Sequence, residues 1–295
     1  MSLILRASDY FYDPSFPIKV LDRDPEIPYP LHSHDFWELI VIVSGSGTHF
    51  DTAGSFELTS GNVFVIPPGF KHGYRDVRDL RLFNILFDIS MFEESFFDLS
   101  NMSGYQALLK VEPSYRHDGS LSTLMQLTPA QQARVLPLLE HMLVESDSTE
   151  SEIRAKAGAF AILAQLLVML FRIYAEQPRK DNQTVMRIAD ALSFLEAHPD
   201  RSVSTSELME LTNMSASTLN RHFKNATGLS PIEFHIQRRI KHACRLLRSS
   251  DMSVSEISEA TGFEDSNYFS RQFRNVMGIT PLSYRKNRSM WYRLP

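Results

Sequence analysis

The chain has little of three things that would each indicate a particular class of protein. It contains a single cysteine, Cys244, which excludes an internal disulfide and a cysteine-rich metal site. Its longest apolar run, residues 157–174, is interrupted by Gln165 and Arg172, and no membrane span is expected. The N-terminus lacks the basic-then-apolar pattern of a secretion signal, so a cytoplasmic protein is expected.

The net charge of −5 is also small, but it is unevenly distributed. Residues 182–295 carry 15 Lys and Arg against 11 Asp and Glu, whereas the rest of the chain carries 15 against 24. A basic segment joined to an acidic one suggests that only the C-terminal part meets a polyanion. With 295 residues, the chain is long enough for two domains.

Residues 1–184 show three different patterns. Residues 1–30 contain five prolines and several aromatic residues, which predicts an extended arm. Residues 31–92 contain short β-branched and aromatic runs separated by turn residues, which predicts a small antiparallel barrel. Residues 93–176 have a helical pattern and are expected to supply a dimerisation surface, and residues 177–184 form a polar linker.

Residues 185–288 contain an internal repeat, as a comparison of the sequence with itself shows. Segment 219–224 matches segment 269–274 at an offset of 50 residues. Upstream, Glu207 matches Glu256 at an offset of 49, so the second copy has one more residue in its turn. The offset of 50 also relates Gly228 to Gly278, Pro231 to Pro281, and Phe234 to Tyr284.

Each copy is predicted to be a helix-turn-helix. In the first, Ser204 or Thr205 caps a short helix, and a turn at 213–215 leads to a second helix that Ser215 caps and Gly228 ends. In the second copy, the corresponding residues are Ser253 or Ser255, the turn 262–263, and Asp265 or Glu264.

The second helix of each copy is predicted to turn a polar face outward, because its apolar residues recur at i and i+4. Arg can bind guanine, Asn can bind adenine and Asp can accept a hydrogen bond from cytosine, while Lys and Arg at a helix end suit phosphates. The candidate DNA-binding residues are Ser217, Thr218, Asn220, Arg221 and Lys224 in the first copy, and Asp265, Ser266, Asn267, Ser270, Arg271 and Arg274 in the second.

The two copies are joined by a predicted helix over residues 231–249. At about 1.5 Å per residue it is roughly 28 Å long, and successive major-groove faces of DNA are about 34 Å apart. One rigid connecting helix could therefore place both recognition helices in adjacent grooves of a bent duplex. The alternative is a helical repeat that binds other proteins.

The segment 262–274 (GFEDSNYFSRQFR), followed by 278–285 (GITPLSYR), resembles the signature of the AraC/XylS family of bacterial regulators. The first copy agrees at Leu219, Arg221, Phe223 and Lys224. The resemblance implies a seven-helix domain that binds double-stranded DNA, RNA polymerase as a partner, and an N-terminal domain that senses a small molecule and forms a homodimer.

A second constellation lies in the predicted barrel. His32, His34 and Glu38 precede Gly45, and residues 61–72 read GNVFVIPPGFKH, ending at His72. These spacings resemble the two sequence motifs of the cupin barrel, except that Asp76 stands where the second motif has Asn. Three His and one Glu form a competent set of ligands for a divalent metal.

Three interpretations of this constellation stay open at this point: a metal enzyme, a small-molecule sensor with or without metal, and a purely structural motif. Fusion to a DNA-reading domain favours the sensor. The region also resembles the sensory half of the rhamnose-responsive AraC/XylS members, which implies a sugar. The candidate effector-binding residues are His32, His34, Phe36, Glu38, His72 and Tyr74, and the candidate metal ligands are His32, His34, Glu38 and His72.

The sequence therefore predicts an α+β protein of two domains: a cupin-like β-barrel with flanking helices, and an all-α domain with two helix-turn-helix units. The predicted function is transcription regulation, as an effector-responsive activator of carbohydrate metabolism genes, and no catalytic residue is predicted. The alternative is a metal-dependent cupin enzyme, a dioxygenase or isomerase, fused to a helical domain.

Overall fold

The computed structural model describes residues 3–11, 13, 16–93, 99–117, 124–147, 152–177 and 183–287. The chain divides into two compact units, Met1–Met186 and Arg187–Pro295, called here the N-terminal unit and the C-terminal unit. Residues 178–182 of the predicted linker lie outside the described residues. The fold is α+β with two domains, as predicted.

The N-terminal unit is built on a single eight-stranded sheet among the described residues. Its two longest strands, β4 and β7, pair along almost their whole length and form its centre. Register shifts in this pairing bend both strands, so that their two ends pair with different neighbours. The strands are β1 (Leu3–Leu5), β2 (Ile18–Arg23), β3 (Tyr29–His34), β4 (Trp37–Asp51), β5 (Ser55–Thr59), β6 (Asn62–Ile66), β7 (His72–Phe87) and β8 (Met125–Gln126).

The sheet includes residues that the sequence analysis assigned to an arm. Strand β2 pairs antiparallel with β7 from Ile18↔Phe87 to Arg23↔Leu82, and β1 pairs parallel with β3. Between these strands lies a short helix, α1 (Ala7–Tyr10). The prediction of an extended arm over 1–30 is wrong for these elements. Prolines mark where strands end, but which strand each segment pairs with depends on distant residues.

Helices follow the sheet. The two longest are α5, whose Pro129 occupies the first turn after Thr128, and α6, which packs along α5. Segment 156–176 of α6 is long and apolar enough to cross a membrane by length and composition, and half of it is buried in the protein. The helices are α2 (Ser90–Glu93), α3 (Ser103–Tyr105), α4 (Glu112–His117), α5 (Pro129–Asp147) and α6 (Glu152–Glu176), with a 3-10 turn at Leu99–Asn101 and a π-helical segment at Gln106–Val111.

The C-terminal unit contains seven helices within residues 183–287, counting the one that begins just before its boundary. Helices α8 and α9 form the first helix-turn-helix, and α11 and α12 form the second. They are α7 (Gln183–Ala197), α8 (Thr205–Thr212), α9 (Ala216–Thr227), α10 (Pro231–Ser249), α11 (Val254–Ala260), α12 (Ser266–Met277) and α13 (Pro281–Lys286).

Local capping explains the ends of these helices. Ser204 and Ser253 each form a capping box with the glutamate three residues on. Gly228 and Gly278 end the two recognition helices, both with φ of 76°. The same choice of residues, repeated about 50 positions apart, produces the same supersecondary unit twice.

The core of the second helix-turn-helix shows why its recognition helix is amphipathic. Phe269 and Phe273 of α12 are fully buried and lie in one cluster with Cys244 and Tyr284. In the first helix-turn-helix, Leu219 and Phe223 of α9 are buried in the same way. One face of each recognition helix is therefore fixed against its core.

Candidate nucleic-acid interface and effector pocket

The candidate DNA-reading residues lie on the outward faces of α9 and α12, except for Asp265, which immediately precedes α12. Thr218 and Ser270 are partly buried, and the remaining nine are exposed. Arginine, asparagine and lysine side chains on an exposed helix face can reach base edges and phosphates.

Two of these side chains also serve the helix itself. Asp265 Oδ1 accepts hydrogen bonds from the backbone N–H groups of Asn267 (2.7 Å) and Tyr268 (3.1 Å), so Asp265 is the N-cap of α12. Asn220 Nδ2 donates to the carbonyl of Ala216 (2.9 Å). The guanidinium of Arg271 lies 5.3 Å from the ring centre of Tyr268, which holds it beside the exposed face.

A pocket of about 580 Å³, including its open mouth, lies in the N-terminal unit. The pocket is concave, as sites for small molecules are. Its wall combines apolar and polar side chains from β1, α1, β2, β3, β4 and β7 and from the segments beside them. The lining residues are Leu5, Tyr10, Leu21, Arg23, Glu26, Ile27, Tyr29, His32, His34, Phe36, Glu38, Tyr74, Asn84 and Leu86.

A cluster of three histidines and a glutamate lies at this pocket. His34 Nε2 and His72 Nε2 lie 3.3 Å and 3.7 Å from Glu38 Oε2, and His32 Nε2 lies 2.8 Å from His72 Nε2. All four side chains are buried. The structure brings these four residues together, but not on a single strand: His32 and His34 lie on β3, and Glu38 lies on β4 beyond a bend at residues 35–36.

Backbone carbonyls fix the tautomers of two of these rings. Nδ1–H of His34 donates to the carbonyl of Phe36 (2.7 Å), and Nδ1–H of His32 donates to the carbonyl of Pro30 (3.0 Å). Because a carbonyl only accepts, each neutral ring presents an unprotonated Nε2 to the cluster. Burial lowers the pKa of His32 and lowers that of His72 well below its usual value, so both rings are neutral near pH 7.

Further polar groups at the cluster were not predicted from the sequence. His49 is fully buried against His72 and Tyr74, and burial lowers its pKa to about 3. Both its ring nitrogens, the Tyr74 hydroxyl and Asn84 Oδ1 lack a hydrogen-bond partner among the described residues. Asn84 could have been found, because it is a polar residue in the apolar run 80–87 at the same parity as Leu82 and Leu86.

The pocket includes five of the six predicted effector-binding residues. His72 is not part of its wall, but its ring contacts His32 and His34. Phe36 stacks on His34 with ring centres 4.5 Å apart and thus supplies an aromatic face. Sequence reasoning missed Arg23 and Glu26, which carried no motif, and burial raises the pKa of Glu26.

Two helix-turn-helix units with exposed polar faces, together with a separate unit that holds a small-molecule pocket, define the class of DNA-binding regulators with a ligand-binding domain. Family comparison agrees: an AraC-like ligand binding domain matches residues 20–167 and a helix-turn-helix domain matches residues 208–287. The chain belongs to the AraC family of transcription regulators. It is a transcription factor and not an enzyme, which removes the cupin-enzyme alternative.

Relatives of the whole chain are known. The HTH-type transcriptional activator RhaR of Enterobacter sp. (strain 638) is 29% identical over 285 residues, covering 96% of each chain. The activator RhaS of Pectobacterium atrosepticum is 29% identical over 284 residues, also covering 96% of each. Among solved structures, the DNA-binding domain of AdpA in complex with a target DNA is 30% identical, covering 34% of this chain and 90% of that one, with a TM-score of 0.33.

Proposed function

We propose that this chain is an effector-responsive transcription activator of carbohydrate metabolism genes that reads two adjacent major grooves. The observation that supports the two-groove arrangement is the single 19-residue helix α10, which joins the two helix-turn-helix units. Its length of roughly 28 Å approaches the groove repeat of about 34 Å. Activation is supported by the names of its relatives, RhaR and RhaS.

The base-reading assignment can be tested on DNA that the full-length protein selects from random duplexes. Arg221→Ala and Asn267→Ala are each expected to cost about 1–3 kcal/mol on the selected sequence and to relax the preference at one base position. Lys224→Ala is the matched contrast, because losing a phosphate contact weakens binding to all sequences alike. Unchanged selectivity in both alanine variants would remove these residues from the base-reading set.

The effector proposed for the pocket is a neutral, sugar-like molecule. Burial holds neutral histidines there, and the wall contains Glu26 and Glu38 against one arginine, Arg23, so an anionic ligand would meet two carboxyl groups. The Tyr74 hydroxyl and Asn84 Oδ1, which have no hydrogen-bond partner in the described part of the chain, suit the hydroxyls of a sugar, and Phe36 suits its apolar face.

A thermal-shift screen of the full-length protein against sugars, with L-rhamnose first, tests this proposal. A ligand at 100 times its Kd is expected to stabilise the folded state by about 2.7 kcal/mol. Asn84→Leu should abolish the shift, whereas Arg75→Ala should retain it, because Arg75 is exposed and absent from the pocket wall. Equal shifts in both variants would place the ligand elsewhere.

The same cluster is a candidate centre for a divalent metal. The ligating atoms of His34, Glu38 and His72 all lie within 4.8 Å of one another, and His34 Nε2 and Glu38 Oε2 have no hydrogen-bond partner within the described part of the chain. His32 would be the fourth ligand. A metal there would bind effector oxygens directly.

Elemental analysis of purified protein tests the metal site. It should find about one ion per chain, and this ion should be lost in His34→Ala. Absence of metal after growth with zinc, manganese and iron would refute the metal site.

The proposal has three further parts. The chain forms a homodimer, it contacts RNA polymerase, and it is located in the cytoplasm. Half of segment 156–176 of α6 is not buried within the chain, although its mean hydropathy is 1.9. A second copy would cover such a surface. Sedimentation should show a dimer that Val168→Glu dissociates and that Lys71→Glu, on an exposed loop of the sheet domain, leaves intact. A monomeric wild-type protein would refute this part.

A further inference from the structure

The two helix-turn-helix units meet at the loop that precedes the first of them. Arg201 lies in this loop, between α7 and α8, and its carbonyl accepts a hydrogen bond from Nε2–H of His235 on α10 (2.9 Å). Its guanidinium donates to Glu207 Oε1 on α8 (2.9 Å) and lies 5.4 Å from the ring centre of Phe194 on α7. Arg201 is thereby fixed to the first helix-turn-helix and to the connecting helix.

The turn of the second helix-turn-helix packs directly on this loop. Gly262 has φ of 72°, and a Cβ atom at this position would overlap the Cα and carbonyl carbon of Arg201. Only glycine permits this approach, because any side chain would collide with backbone that cannot move aside. The second turn is therefore seated on backbone next to the first helix-turn-helix.

A third contact joins the connecting helix to the same turn. Arg239 on α10 is 6% exposed, and its Nε–H donates to the carbonyl of Thr261 (2.8 Å). Its guanidinium carbon lies 3.6 Å from the ring centre of Phe263. Thr261 and Phe263 flank Gly262, so Arg239 fixes the turn from the side of α10 while Arg201 supports it from the loop.

We propose that Arg201, His235, Arg239 and Gly262 are positioning residues that fix the two recognition helices relative to each other and thereby select the spacing of the DNA half-sites. None of the four is among the candidate DNA-reading residues. The inference rests on the proposed two-groove reading. It adds that the pair of helices is held as one rigid body by contacts across the repeat, in addition to the covalent link through α10.

Selectivity for half-site spacing would follow from the geometry of the duplex. One inserted base pair moves the second half-site by about 3.4 Å along the axis and rotates it by roughly 35°, since a turn holds about 10–10.5 base pairs. A rigid pair of recognition helices cannot follow this movement, so the DNA must twist or bend instead. A pair free to pivot about α10 would follow it at little cost.

The test uses full-length protein and DNA selected from random duplexes. Each half-site of the selected sequence is called a box. Binding is measured to the selected sequence, to versions in which the spacing between the two boxes is lengthened or shortened by one or two base pairs, and to each box alone. Wild-type protein is expected to lose about tenfold or more in affinity for each change in spacing, because deforming the DNA is costly. His235→Leu and Arg239→Lys are expected to bind altered spacings within about threefold of the selected one.

Matched variants separate positioning from folding. His235→Gln retains a donor at the position of Nε2 and should restore spacing selectivity. Arg245→Lys, on the exposed face of the same helix, keeps the charge and should behave as wild type. Affinity for a single box and the unfolding temperature report whether each variant is folded.

The outcomes distinguish the two proposals. If wild-type protein selects a single box, the two-groove reading fails, and this inference fails with it. If it selects two boxes but folded His235→Leu and Arg239→Lys proteins keep the full spacing penalty, the positioning role alone is overturned. Should either variant unfold, the other variant and the His235→Gln comparison still show whether spacing selectivity depends on these contacts.

Discussion

His235 makes the C-terminal unit sensitive to pH. Burial lowers its pKa, the hydrogen bond to the Arg201 carbonyl partly opposes this, and the charges of Arg239, Arg201 and His198 add to the lowering. An unfolded histidine titrates near pH 6.5. Below that pH the unfolded chain binds a proton that the folded chain resists, so stability present above about pH 6.5 is lost as the pH falls towards the folded pKa.

Denaturant unfolding of the C-terminal unit should therefore show a lower free energy of unfolding at pH 5 than at pH 7.5. His235→Gln should flatten part of this dependence, and His242, whose pKa burial also lowers, should contribute to what remains. Equal pH dependence in the wild-type and His235→Gln proteins would show that His235 is protonated as easily in the folded state as in the unfolded one.

Ser253 and Ser255 were equivalent candidates for the cap of α11, and the structure distinguishes them. Ser253 Oγ accepts from the backbone N–H of Glu256 (3.2 Å), and Glu256 Oε2 accepts from the backbone N–H of Ser253. Ser253→Ala should destabilise the C-terminal unit by about 1 kcal/mol. Ser255→Ala should change it by less than about 0.5 kcal/mol. Thermal unfolding measures both, and a reversed order would contradict the capping assignment.

At the scale of an element, the recognition helices α9 and α12 each carry an exposed basic residue in the last turn, Lys224 and Arg274. If each neutralises one phosphate, Lys224→Gln and Arg274→Gln should each lower the slope of log K against log salt by about 1. Lys71→Gln, which removes the same charge from an exposed loop of the N-terminal unit, is the control. A slope that does not change would place both side chains away from the backbone of the DNA.

Elements whose signals are local were predictable from the sequence. The helix predicted over 231–249 is α10, since Ser230 and Pro231 begin it through a capping box within its own first turn. Strand β2 was missed because its pairing with β7 joins residues more than 50 positions apart. His49 was missed for a related reason. It faces the cluster because of the register of β4 against β7, in which His49 pairs with Tyr74, and no local sequence pattern specifies that register.

At the scale of the whole molecule, each unit has its own core. Phe83 on β7 is fully buried in the N-terminal unit, and Phe273 on α12 is fully buried in the C-terminal unit. Calorimetry should therefore resolve two transitions. Phe83→Ala is expected to lower the free energy of unfolding of the N-terminal unit, and Phe273→Ala that of the C-terminal unit, each by about 3–5 kcal/mol. A single transition that moves with both substitutions would mean that the units unfold together.

The contact of Gly262 with the backbone of Arg201 has a consequence for how binding sites for this protein can change over evolutionary time. A substituted base costs about 1–3 kcal/mol and can be offset elsewhere in the site. Under the proposed rigid arrangement, an inserted or deleted base pair has no such remedy, because the two recognition helices are held at one separation. In the promoters that it controls, individual bases are thus expected to change over time, while the spacing between the two half-sites stays constant.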